Sequence, residues 1–124
     1  MKGQLLRLAL AASLLCGAGA APAPAPAMKL QLTQGGALLV GRLNLPRADE
    51  VTGVWSGQGR ARLLRCAPRC VAVQTLPLDR TLQLGPDATY RIVLGGTFRA
   101  GQKVSLVLRL RHTPVLNITA NVVR

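Results

Sequence analysis

Aromatic side chains are nearly missing from this chain: Trp55, Tyr90 and Phe98 are the only three in 124 residues. So few rings cannot build the stacking platform that single-stranded nucleic acid requires, so nucleic acid is not expected as a partner. Acids are almost as scarce, with Asp49, Glu50, Asp79 and Asp87 the whole complement. His112 is the sole histidine, and beyond the N-terminal region serine occurs only at Ser56 and Ser105. No nucleophile elbow and no spaced pair of carboxylates accompanies them, so the sequence does not read as an enzyme. Long apolar runs are missing too: nothing past the N-terminus approaches the roughly 20 uninterrupted residues that a transmembrane helix needs. No window carries a helical apolar stripe with a cap.

What is present begins with "MKGQLLRLALAASLLCGAGAAPAPAPA". Lys2 and Arg7 form a positive n-region, Leu8 to Leu15 an apolar h-region, and Ala18-Gly19-Ala20 an A-x-A cleavage signal. Residues 1–20 therefore read as a secretory signal peptide, which places the remainder in the periplasm or outside the cell. Cys16 raises lipoprotein anchoring as an alternative, but Leu15 stands where a small residue is required. Residues 21–27 alternate alanine with proline, which deprives every second position of an amide donor and favours an extended, disordered tether. Residues 28–124 then suffice for one domain with a single modest core. That part keeps 14 of the 16 basic residues and all four acids, a net charge of about +10. Such a surface suits anionic partners: acidic proteins or lipid headgroups.

Two-residue periodicity dominates the domain. In "VSLVLRLR", Val104, Leu106, Leu108 and Leu110 share one face, and in "VLNITANVV" Leu116, Ile118, Ala120 and Val122 do the same. These read as an antiparallel hairpin joined at "HTP". Upstream, "MKLQLT" and "ALLVGRLNL" are broken by "QGG", and "VTGVWS", "ARLLR", "VAVQT", "TLQL" and "YRIVLGG" follow with glycine-rich or proline-containing turns between them. The expectation is an all-β, single-domain Greek-key β-sandwich of about seven to nine strands. Trp55 is expected to anchor the core, and Asp49-Glu50 to lie in a loop.

Three residues could carry chemistry. Cys66 and Cys70 in "LLRCAPRC" each follow an arginine, Arg65 and Arg69, which favours the thiolate and affinity for soft metals such as Cu(I). An oxidising compartment instead favours a disulfide between them. Disulfide, metal ligation and redox pair all remain open, with the disulfide favoured. His112, in the turn before the last strand, is either a solvent-exposed turn residue or a third metal ligand. Asn117 fits an N-glycosylation pattern but lies in mid-strand.

The order of elements in "GGALLVGRLNLPRADEVTGVWSGQGRARLLRC", "LPLDRTLQLGPDATYRIVLGGTFRAGQKVSLVLRL" and "VLNITANVV" resembles the periplasmic copper chaperones of the PCu(A)C type. Asn44, Asp49, Val54 and Ser56 in "LNLPRADEVTGVWS" stand where that family has its "D-x-L-x-x-V-x-S" segment and the asparagine before it. The resemblance implies a cupredoxin-like sandwich that binds or delivers Cu(I). It also implies histidine and methionine ligands that this chain does not have. Arg65 or Cys66 stands in place of the first histidine, Tyr90-Arg91-Ile92 in place of the His-x-Met pair, and Val71 or Val73 where a further methionine belongs; the one methionine of the domain is Met28. The leading expectation is an exported copper chaperone-like protein with Cys66, Cys70 and His112 as candidate ligands and a copper-receiving envelope protein as partner. The alternative is a basic β-sandwich interaction module of the cell envelope that binds no metal.

Overall fold

The computed structural model of the chain describes residues 27–124. The predicted leader over 1–20, with Cys16, and the Ala-Pro segment up to Pro26 lie outside the described residues. Ten strands follow one another: β1 (Ala27–Thr33), β2 (Gly36–Asn44), β3 (Asp49–Ser56), β4 (Arg60–Cys66), β5 (Cys70–Val73), β6 (Leu76–Leu78), β7 (Thr81–Leu84), β8 (Tyr90–Gly95), β9 (Lys103–Leu110) and β10 (Leu116–Val123). They hydrogen-bond in the order β5-β4-β8-β2-β1-β10-β9-β3-β6, with β7 attached to β2. Most neighbours are distant in sequence, and β1 lies parallel to β10, which brings the two ends of the domain together. This is the sandwich expected from the sequence, and its sheet does not close on itself.

The periodic pairs behave as their patterns dictate. Val104, Leu106, Leu108, Ile118, Ala120 and Val122 are all essentially inaccessible to solvent, while the alternate Ser105, Arg109, Asn117, Thr119 and Asn121 face water. β2 departs from alternation because it is covered on both sides: Ala37, Leu38 and Leu39 are buried in succession. Its first half pairs with β1 and β8 and its second half with β7. The change of partner falls at Gly41, whose φ of +151° is a conformation that side chains rarely adopt. A Cβ there would also sit 2.8 Å from Cε of Met28. Met28, which the sequence put beside the tether, is thus a core residue under the bend in β2.

Two sequence expectations need correction, and the strand count is refined. Among the described residues the strands number ten against about seven to nine expected, because "LPL", just past "VAVQT", forms a strand of its own: Cys70–Val73 stays with β4, and Leu76–Leu78 crosses to pair with β3. Pro77, which has no amide to donate, is exposed at that outermost strand. Asp49-Glu50 opens β3 rather than lying in a loop. Trp55 is 48% exposed and is not a core anchor. The cause is a register shift between Val51 and Gly53: Val51 pairs inward with Leu110, Gly53 pairs outward with Arg109, and Val54 faces the core in the place that simple alternation gives to Trp55.

Candidate functional site

β4 and β5 form a tight hairpin whose last paired residues are Cys66 and Cys70. The pairing holds their Cα atoms 3.8 Å apart, and the two sulfurs are joined in a disulfide. The Cys66 amide donates to the Thr89 carbonyl at 2.6 Å, which fastens the hairpin tip to the start of β8. Cys70 is exposed and Cys66 half-buried, so the bond lies at the surface. Arg65 and Arg69 flank it, both solvent-exposed.

Beside the tip is a shallow hollow of about 550 Å³ lined by Arg65, Val73 and Tyr90 together with Gln74, Thr75 and Pro77. The pairing explains the convergence: Arg65 lies opposite Tyr90 across β4 and β8, and Leu63 opposite Val73 across β4 and β5. These are the positions where the sequence resemblance looked for ligands. The structure gathers them at one end of the sandwich, but they carry a guanidinium, a phenol and an isopropyl group. Ile92 points into the core, and Arg91 spends its Nε on the Ala88 carbonyl at 3.0 Å. Of the residues at those positions, only Cys66 offers a soft donor, and its partner Cys70 is the second.

His112 is placed by a different set of contacts. Its backbone amide donates to Oδ1 of Asp49 at 3.0 Å, the Glu50 amide donates to the same oxygen at 2.7 Å, and the Thr113 hydroxyl donates to Oδ2. Asp49 is thereby the clamp that ties the β9–β10 turn to the start of β3. Desolvation pushes its carboxyl upward, but the three hydrogen bonds outweigh that and hold it far below the ordinary carboxylate range. Next to it, Glu50 is also lowered, chiefly by the bond from Nε of Arg111 at 2.5 Å. His112 makes no contact with the hollow or the disulfide, and among the described residues no group of three or more histidine, cysteine, aspartate and glutamate side chains converges on a metal-sized space. The structure therefore brings Cys66 and Cys70 together and leaves His112 on the Asp49 clamp.

Sequence reasoning missed the clamp and the exposed tryptophan. Nothing local marks Asp49 as a partner of Thr113, since the contact spans 64 positions. Trp55 had a signal, the glycine two places earlier inside a strand, which often accompanies a bulge.

No protein-family model matches this chain, and no curated protein matches it. Among solved structures, the apo PmoF2 PCuAC domain superposes with a TM-score of 0.59 at 18% identity, covering 77% of this chain and 84% of that one. At such identity the likeness is one of fold: the chain has the cupredoxin-like β-sandwich of a PCuAC domain.

Proposed function

We propose that this chain is an exported, non-enzymatic copper-handling domain that takes Cu(I) on Cys66 and Cys70 when their disulfide is reduced. The observation that carries the reading is the cross-strand pairing of the two cysteines at an exposed tip beside the hollow lined by Arg65, Val73 and Tyr90. The PCuAC fold supports it, as does the leader-like N-terminus, which directs the protein to the periplasm.

The chemistry belongs to the hairpin. Opening the disulfide consumes two electrons and two protons from a dithiol reductant and leaves two thiols on facing strand ends. Arg65 and Arg69 favour their ionisation, and a pair of thiolates suits a soft monovalent cation. Because Cys70 faces solvent, a bound ion is open to exchange onto the ligands of a copper-receiving protein. Exchange with a disulfide oxidant, which takes up the two electrons and two protons, closes the site by joining the same two sulfurs.

A Cu(I) titration against a competing chromophoric chelator tests this, run on reduced protein with a free-thiol count. Reduced wild type should take up one Cu(I), oxidised protein none, and Cys66→Ser/Cys70→Ser should bind at least tenfold more weakly, about 1.4 kcal/mol or more. His112→Ala should bind as wild type does. Tight binding that survives in the double cysteine variant, or no uptake by the reduced wild type, would sink the reading.

A further inference from the structure

The sandwich has an open seam between β3 and β4. β3 pairs with β9 along one edge from Val51 to Ser56, but its other edge is paired only at Asp49–Val51, by β6. β4 pairs with β8 along one edge from Arg60 to Arg65, and β5 covers its other edge only from Leu63 onward. Gly53–Ser56 and Arg60–Arg62 therefore face each other across the turn at 57–59 with no ladder between them. Unpaired edges of this kind are templates for a further strand.

Two adjoining hollows of about 370 and 390 Å³ occupy the seam, and both are lined by Val54, Trp55, Ala61 and Arg62. Arg60 adds a second guanidinium, and no acid lines either hollow. The four acids of the chain lie elsewhere, Asp49 and Glu50 at the start of β3 and Asp79 and Asp87 between strands. Trp55 is fixed in place: its ring lies over Gly53, where a Cβ would come within 3.2 Å of it, and the guanidinium carbon of Arg109 stands 4.6 Å from the ring centre. A rigid, half-exposed aromatic beside two free arginines and two free strand edges is an arrangement that binds; core packing does not call for it.

We propose that this seam docks an acidic, extended segment of a partner protein. The segment pairs its backbone with the free edges, sets carboxylates against Arg60 and Arg62, and lays an apolar side chain on Trp55. Charge complementarity selects this occupant: the only charged side chains lining the two hollows are Arg60 and Arg62, and the unpaired strand edges call for an extended backbone, which neither a duplex nor a flat bilayer offers. The seam borders the hollow beside the cysteines at Ala72, Val73 and Gln74, but the inference uses neither copper nor the cysteines, so the two readings fail separately.

Trp55 is the only tryptophan, which makes its emission a direct reporter. The probe is a short acetylated peptide alternating glutamate with valine, with its lysine-for-glutamate counterpart, an N-methylated version and phosphatidylglycerol vesicles as comparisons. The acidic peptide should shift and saturate the Trp55 emission, weakening as salt is added. Arg60→Glu/Arg62→Glu, with unchanged circular dichroism, should reduce its affinity about tenfold or more. N-methylation should abolish binding, because it removes the strand-pairing donors. Equal binding of the lysine peptide, undiminished binding by the double arginine variant or by the N-methylated peptide, or a response to vesicles alone would overturn the proposal.

Discussion

Asp49 shows how much of this domain's local order rests on a single carboxylate. It accepts from the amides of Glu50 and His112 and from the Thr113 hydroxyl, and so closes one end of the sandwich across 64 positions of sequence. Its folded-state pKa lies below the ordinary value of 3.8, so its contribution to stability is complete above that pH and is lost as pH falls toward the folded value. Glu50, lowered from 4.5 by Arg111, adds in the same direction. Thermal melts should accordingly show constant stability from neutral pH down to about 5 and a decline below about 4. Asp49→Asn should melt several degrees lower at neutral pH and decline less steeply in acid; an acid limb as steep as that of wild type would show that another group controls it. Trp55 makes the opposite point. Half-exposed, it should cost about 1 kcal/mol or less when changed to alanine, whereas Leu108→Ala, in the core, should cost about 2–5 kcal/mol by denaturant unfolding.

Among the elements, strands with an irregularity decide most. The bulge in β3 turns Trp55 out and Val54 in, and thereby converts what would be a core ring into the floor of the open seam. β2 changes partners at Gly41, where the backbone is left to glycine and Met28 fills the space a side chain would need. Gly41→Ala should lower unfolding free energy by about 1–3 kcal/mol, since both strain and the 2.8 Å approach to Met28 must be relieved. Loss of the β2–β7 pairing should appear first, as faster amide exchange at Leu82 and Leu84 with β9 and β10 still protected. Uniform loss of protection across all strands would mean that the bend is not a local device.

For the molecule as a whole, the disulfide closes a loop of only a few residues at an edge, while the core is sealed by strands from both ends of the domain. Loop-closure entropy for so short a ring is worth about 2 kcal/mol at most. Reduction should therefore leave the far-ultraviolet circular dichroism unchanged and lower the melting temperature only modestly; global unfolding on reduction would make the bond an essential staple and rule out the proposed copper binding by the reduced form. The sequence by itself determined the all-β class, the inward faces of β9 and β10, the closeness of Cys66 to Cys70 and the basic surface, because each follows from period-two patterning, composition or short spacing. Only the tertiary structure decided which distant strands meet. It set Arg65 against Tyr90 and Val73 in one hollow, tied His112 to Asp49 instead of to the cysteines, and left β3 and β4 unpaired around Trp55. Those outcomes depend on pairings across tens of residues, which no local pattern in the chain encodes, and on one shifted register, whose only local mark is Gly53 inside a strand.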